Sequence, residues 1–124
     1  MSPKKIHFHK KSQQLELAFA DGVTNQLSAE FLRVHSPSAE VRGHGKGQET
    51  LQVGKQDVQI LNMEATGNYA LKIVFSDGHD SALFDWTYLH KLCAEKDQYW
   101  QAYLDKLEEA GANRGGSFIN AKPV

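Results

Sequence analysis

Three histidines are the side chains whose type best suits metal chemistry. His35 and His44 lie in one loop segment, 32–45, and His79 directly follows an Asp-Gly turn at Asp77. Three imidazoles that converge can hold a divalent metal ion such as zinc. No short spacing places two of these three on one helix or strand. A metal site made of His35, His44 and His79 is therefore an alternative hypothesis.

Two basic residues, Arg42 and Lys46, lie on either side of His44 in a glycine-rich stretch. The stretch is not a phosphate-binding loop of the GxxxxGK[ST] type, because Gly47 follows Lys46 and no helix begins there. Arg42 can still bind a carboxylate or phosphate with two parallel hydrogen bonds. The alternative is that both residues are solvated on a surface loop.

Nucleophilic catalysis has little support in the sequence. Ser36, Ser38 and Ser81 do not lie in a GxSxG-like turn, and no base is tied to any of them by spacing. The single cysteine, Cys93, excludes an internal disulfide, favours a reducing compartment and fits a small buried residue. We therefore expect no enzymatic activity and no cofactor.

Composition predicts one soluble domain. The chain has 124 residues, a formal net charge of −1 and 40% hydrophobic residues. Neither a nucleic acid nor an anionic membrane is attracted by such a charge. No apolar run approaches the roughly 20 residues of a membrane span, and the polar N-terminus has no signal-peptide core. We expect a cytoplasmic protein with neither nucleic-acid nor membrane partners.

Hydrophobic periodicity predicts an α+β fold: a small two-layer domain of antiparallel β-hairpins with short helices and a C-terminal amphipathic helix. The predicted strands are 6–8, 14–19, 23–27, 58–64, 69–75 and 79–84, with a short strand or turn at 51–54. The predicted helices are 29–34, 86–93 and 97–110. We expect one domain over 1–111 and a flexible tail over 112–124.

An internal repeat predicts two similar hairpin–helix halves. Residues 15–22 align with residues 71–78 at an offset of 56, both copies ending in Asp-Gly. The same offset places Leu27 against Leu83. Near the C-terminus, Tyr99, Trp100 and Tyr103 form an apolar helical stripe, which is either core or a partner surface.

These residues also carry a family resemblance. The relevant stretches are 32–45, 67–71, 75–81, 84–86 and 88–89. Together they look like the gamma-butyrobetaine hydroxylase-like N-terminal domain family, over about residues 5 to 95. The resemblance implies a small α+β domain.

The resemblance is to a domain that, in the hydroxylases, binds a structural zinc through three cysteines and one histidine. Their cysteine positions fall here at Ser36, Ser38 and Val41, and their histidine position at His79. Hydroxyls are poor zinc ligands and valine is none, so we expect this zinc site to be absent and the loop to be held by hydrogen bonds. We also expect no oxygenase domain in 124 residues.

The family resemblance extends to a domain found on P-loop ATPases that carry iron–sulfur clusters. It implies an accessory role with a protein partner, such as an iron–sulfur carrier ATPase or an oxygenase. Our leading hypothesis is a non-enzymatic interaction module with its surface on the second hairpin and the loop 36–45. Its expected contacts are His35, Arg42, His44, Lys46, Asp77 and His79. A small-anion binder is a further alternative.

Overall fold

Two β-β-β-α units of similar build form most of the fold. The structure, a computed structural model, describes residues 1–43 and 47–115. The first unit comprises β1 (Lys5–His9), β2 (Gln14–Ala18), β3 (Thr24–Ser28) and α1 (Ala29–Val34). The second comprises β4 (Ile60–Thr66), β5 (Ala70–Phe75), β6 (Ala82–Asp85) and α3 (Trp86–Ala94). The short helix α2 (Ala39–Arg42) lies between the units, and α4 (Lys96–Glu109) follows them.

Each unit contains one three-stranded antiparallel sheet, with the strands in sequence order. The predicted α+β class with two similar halves and a C-terminal helix is therefore confirmed. Several predicted bounds were wrong. In the second unit, β4 runs to Thr66 and β6 starts at Ala82, while residues 51–54 form no strand. The helix α2 was not predicted.

The two Asp-Gly turns have the same backbone hydrogen bonds. Phe19 N donates to Val23 O at 2.8 Å, and Phe75 N donates to His79 O at 2.9 Å. After His79 the second unit has one extra residue, because Leu15 pairs with Leu27 but Leu71 pairs with Phe84. The predicted match of Leu27 with Leu83 was therefore wrong. Phe84 takes the buried position, and Leu83 faces outward with 38% of its surface exposed.

The side chains that alternate inward from both sheets share one core. This core joins the two units and includes residues of α1 and α3. Its largest fully buried members are Phe19, Phe31, Phe75, Phe84, Leu15, Leu17, Leu27, Leu32, Ile73, Leu89 and Leu92. The burial of these apolar surfaces is the main term that holds the two sheets together.

Equivalent N-caps start the helices of the two units. The Ser28 side chain accepts a hydrogen bond from Phe31 N, and the Asp85 side chain accepts one from Tyr88 N. Both residues have extended backbone, which fits an N-cap position. Each unit therefore turns from its last strand into its helix by the same local chemistry.

The helix α4 packs against the end of α1. Tyr103 and Leu107 are buried with Val34, and Trp100 packs partly buried beside them, so the aromatic stripe belongs to the core. Beyond α4, Arg114 reaches back to Glu30 of α1 with two hydrogen bonds, of 2.9 and 2.7 Å. Most of the predicted tail, residues 116–124, lies outside the described part of the chain. Over the described ranges, no helix has the length and apolarity needed to cross a membrane.

Candidate functional site

The second Asp-Gly turn gathers charged side chains from distant parts of the chain. Asp77 Oδ2 accepts a hydrogen bond from Arg33 Nε at 2.9 Å and one from Lys55 Nζ at 2.6 Å. Its other oxygen accepts from the backbone N–H of His79 at 3.2 Å. Burial alone would raise the pKa of Asp77, but these hydrogen bonds and the charge of Arg33 outweigh it and lower the pKa to about 2. Asp77 is therefore ionised at all ordinary pH values.

Arg33 is the buried member of this cluster. It lies on α1, and its side chain is only 8% exposed. Its Nη1 is buried without a hydrogen-bond partner among the described residues. A guanidinium that has lost this much hydration depends on a nearby negative charge. Asp77 supplies that charge.

His79 lies inside a relay of three polar side chains. Its Nε2 is 2.8 Å from Ser36 Oγ, and its Nδ1 is 2.8 Å from Glu40 Oε1. Ser36 and His79 are 1% and 5% exposed, whereas the Glu40 side chain is 69% exposed. The outer end of the relay therefore meets solvent, and its inner end does not.

The protonation state of His79 follows from its surroundings. Burial lowers its pKa, and the positive charge of Arg33 lowers it further, which outweighs the opposing effects of Glu40 and Asp77. The ring is then neutral near pH 7. Since a carboxylate can only accept, Nδ1 carries the proton that is donated to Glu40, and Nε2 accepts from the Ser36 hydroxyl.

Hydrogen bonds extend this relay through the loop before α2. Ser36 Oγ accepts from Ser38 N at 3.3 Å, and Ser38 Oγ accepts from Glu40 N at 3.1 Å as the N-cap of α2. From the other side, the Ser81 hydroxyl lies 2.9 Å from Ser38 Oγ and 3.3 Å from Glu40 Oε1. The loop is thus held against the second hairpin by hydrogen bonds.

These positions do not fit a zinc ion of the kind that the resemblance implies for the hydroxylases. Ser36 and Ser38 offer hydroxyls already used in hydrogen bonds, Val41 offers no donor, and both ring nitrogens of His79 have partners. In the described ranges, no group of three His, Cys, Asp or Glu side chains is arranged to hold a metal.

The other predicted contact residues lie apart from this relay. His35 Nδ1 is 2.7 Å from Phe31 O, and its ring packs edge-on against Tyr99. Burial lowers its pKa. Arg42 is exposed, and its guanidinium lies 4.7 Å from the centre of the Tyr88 ring. His35 and His79 share no hydrogen-bond partner, and His44 and Lys46 lie outside the described residues.

The outward side of the second sheet carries apolar residues, whereas the exposed apolar residue of the first sheet, Ile6 at 43%, lies opposite the inward-facing Leu17. Three residues, Leu61, Val74 and Leu83, define what we call the apolar outer face. Leu61 is 65% exposed at a bulge in β4, Val74 is half-buried on β5, and Leu83 is 38% exposed on β6. Tyr69, 52% exposed, lies in the β4–β5 turn at one end of this sheet.

Sequence reasoning missed several residues that organise the site. Arg33, Glu40 and Lys55 were not singled out. Arg33 bonds to Asp77, which lies 44 positions away, and Lys55 bonds to the same aspartate from 22 positions away. Glu40 bonds to Ser81, which lies 41 positions away. No local pattern reveals such pairs. The stacked pair His7 and His9 was also passed over, although its HxH spacing was visible.

Most of the chain matches one known protein family. The description "Gamma-butyrobetaine hydroxylase-like, N-terminal" matches residues 6–90. The chain belongs to this family. The matched range includes both units up to α3, with Ser36, Glu40, Asp77 and His79. No curated protein shows a significant match.

Solved structures with the same fold are similar over most of the chain. One NMR solution structure is 46% identical, covers 99% of this chain and 98% of its own, and has a TM-score of 0.81. Another is 40% identical, covers 99% and 92%, and has a TM-score of 0.76. A crystal structure from Acidithiobacillus ferrooxidans, of a DUF971-family protein with unknown function, is 35% identical, covers 76% and 94%, and has a TM-score of 0.63. These likenesses support the fold and leave the function open.

Proposed function

We propose that the chain is a non-enzymatic protein-interaction module that recognises its partner through the apolar outer face. The observation that carries this proposal is a difference between two equivalent surfaces. On the first sheet, the outward position opposite Glu16 is Gln26; on the second, the outward position opposite Lys72 is Leu83. The same scaffold thus presents a polar side chain in one unit and an exposed leucine in the other.

The rest of the two outer faces follows the same trend. On the first sheet, Glu16 bonds to Lys5 at 3.2 Å and to His9 at 2.9 Å, which covers the surface with ionic side chains. On the second sheet, Val74 lies opposite Asn62 and diagonal to Leu83. Exposed apolar residues grouped on one sheet, among polar neighbours such as Glu64 and Lys72, are found at protein–protein contact sites.

The hydrogen-bonded loop supports this surface from one end. Ser81, which bonds to the loop, lies two positions before Leu83 on the same chain segment. The relay through Ser36, His79 and Glu40 therefore fixes where β6 begins. Binding to a surface that is already ordered costs less conformational entropy than binding to a surface that must become ordered.

The relay resembles a catalytic Ser–His–acid arrangement, but its burial favours a structural role. A nucleophile must reach a substrate carbonyl, and Ser36 is only 1% exposed. Its hydroxyl also accepts a backbone hydrogen bond, from Ser38 N. The Ser36 side chain therefore offers very little surface to a substrate, which supports the non-enzymatic proposal.

The resemblance suggests the class of partner. We expect an iron–sulfur carrier ATPase or an oxygenase, in the cytoplasm. The chain itself is not suited to hold a cluster, because such clusters need several thiolates and Cys93 is the single cysteine. Burial also raises the pKa of the Cys93 thiol to about 11.

Affinity capture from cell extract tests the proposal. The bait carries Leu61→Gln and Leu83→Gln, which copy the polar character of the first sheet. We expect the yield of specific partners to fall about tenfold or more, since buried apolar contacts at an interface contribute about 2 kcal/mol where they matter. The matched control is Gln26→Ala at the equivalent position of the first sheet, which should capture as the wild type does.

Two further baits define the surface. Arg42→Ala tests whether the loop adds a polar contact, and Tyr69→Ala tests the end of the sheet. Thermal unfolding of every bait must match the wild type, so that a lost partner reports a lost contact. If the Leu61→Gln, Leu83→Gln bait keeps every partner at full yield, the assignment to the apolar outer face is wrong.

A further inference from the structure

A large cleft lies on the helical side of the molecule, away from the strands. It has a volume of about 1100 Å³ and is bordered by the end of α1, by α2, α3 and α4, and by the loop 49–52. None of the described strand residues lines it. Val34, Val41 and Tyr103 contribute buried apolar surface to its lining, at 5 to 7% exposure. A cleft of this size with an apolar lining suits a small organic ligand.

Three cations line the cleft: Arg42, Lys91 and Lys106. Within the described ranges, none of them has a carboxylate within 4.0 Å. Two carboxylates, Glu49 and Glu109, also line it, and no cation among residues 1–43 and 47–115 lies within 4.0 Å of either. The three cations are therefore available to an anion that enters the cleft.

The cations are not spread evenly around the cleft. Lys106 and Glu109 are three residues apart on α4, so they lie on the same side of that helix and offset one another's charge. On the opposite wall, Lys91 lies three residues after Tyr88 on α3, and Arg42 is held over the Tyr88 ring at 4.7 Å. Glu49 lies near this second wall, since Thr50 N donates to Val41 O at 2.8 Å, so the wall formed by α2 and α3 carries two cations against one carboxylate.

The wall formed by α2 and α3, which carries Arg42, is also preorganised. The Tyr88 hydroxyl donates to His35 O at 2.7 Å, which fixes the ring on which the guanidinium rests. A guanidinium placed over an aromatic ring gains cation–π attraction and can still bind a carboxylate or phosphate. Less side-chain entropy is then lost when an anion binds.

We propose that this cleft binds an organic anion with an aliphatic body. The anionic head, a carboxylate or a phosphate, contacts Arg42 and Lys91. The aliphatic body packs against Val34, Val41 and Tyr103. This site uses none of the residues of the apolar outer face and goes beyond the interaction proposed above.

Titration with simple probes tests the site. We expect octanoate or octyl phosphate to shift the backbone amide resonances of α3 and α4, and to bind about tenfold or more tightly than octan-1-ol, which lacks the charge. Arg42→Gln should weaken binding of the better anion about tenfold. The matched control is Lys72→Gln, a cation on the second sheet outside the cleft, which should bind as the wild type does. The tighter of the two anions identifies the head group.

A variant that fills the cleft tests whether binding needs the space inside it as well as the cations. Ala102 lines the cleft from α4 and is exposed, so Ala102→Trp fills the space without touching the core. We expect it to abolish binding with unchanged thermal unfolding. The proposal is overturned if neither anion binds at about 10 mM, if octan-1-ol binds as tightly as both anions, or if folded Ala102→Trp binds like the wild type.

Discussion

The two Asp-Gly turns share the same local hydrogen bonds but make different side-chain contacts. In both, the aspartate accepts from the backbone N–H two residues on, Val23 in the first turn and His79 in the second. Asp21 then pairs with one half-buried side chain, His90, at 2.8 Å. Asp77 instead pairs with buried Arg33 and joins the loop network. The local sequence sets the turn, and the packing around it decides whether the turn organises a site.

A second difference lies just after the turn. The one extra residue between His79 and β6 shifts Phe84 into the core and Leu83 outward. Without this shift the second sheet would bury Leu83. A single inserted residue therefore reverses which side chain faces solvent, as the two-residue period of a strand requires.

The largest difference between the turns should appear when each aspartate is removed. Asp77→Ala leaves the Arg33 charge buried without a partner, and we expect the free energy of unfolding to fall by about 3 kcal/mol. Asp21→Ala should cost much less, because its contact with His90 is partly exposed to solvent. Urea denaturation of both variants measures this. Equal losses would contradict the comparison, and Arg33→Met combined with Asp77→Ala should recover much of the loss.

The next effect concerns the relay that only the second unit has. Ser36→Ala removes the hydroxyl donated to His79 Nε2 and leaves a buried acceptor unpaired. We expect a loss of about 1 to 3 kcal/mol in the free energy of unfolding. Ser12→Ala is the control, because the Ser12 hydroxyl makes one long, exposed hydrogen bond of 3.5 Å. A Ser36→Ala variant as stable as Ser12→Ala would mean that the relay adds no stability.

The N-caps should behave alike in the two units. Ser28→Ala and Asp85→Ala each remove one capping hydrogen bond, and each should cost about 1 kcal/mol. Ser28→Asp and Asp85→Ser exchange the two caps and should cost little. Thermal or urea unfolding checks the four variants. A large cost at one cap alone would show that the helices of the two units start by different means.

The smallest effect at neutral pH is the titration of His79. Burial lowers its pKa in the folded protein, so the unfolded state binds the proton more readily. The stability from neutral His79 is therefore complete above about pH 6.5 and is lost as the pH falls below that value. His35 contributes in the same direction, because burial lowers its pKa too.

Unfolding free energies measured between about pH 7 and pH 5 test this titration. His79→Gln should flatten the decline but not remove it, since His35 remains. The comparison is informative even if the variant is less stable overall, because it concerns the slope with pH. An unchanged slope in His79→Gln would exclude His79 as its source.

Local patterns were sufficient to predict most of the fold. Alternating apolar residues predicted β2 and β5, the Asp-Gly turns predicted both hairpins, and the N-cap Ser28 predicted the start of α1. The helix α2 was missed because four residues after Pro37 carry too little periodicity to be recognised. Its cause, the Ser38 N-cap, is visible only with the backbone in place.

The site was much less predictable. The resemblance brought Ser36, Ser38 and His79 together before the structure did, but the ion pair of Arg33 with Asp77 joins residues 44 positions apart. The apolar outer face could not be predicted from the sequence for a related reason. Leu27 and Leu83 look equivalent in the sequence, and only the pairing of the strands shows that one is buried and the other exposed.

The contact between Arg114 and Glu30 has a consequence for how the chain is made. Glu30 is 5% exposed, and its partner is added 84 residues later during synthesis. The first unit can form its sheet on the ribosome while this carboxylate still lacks its counter-charge. Glu30 therefore stays without this partner until translation has passed α4 and reached Arg114.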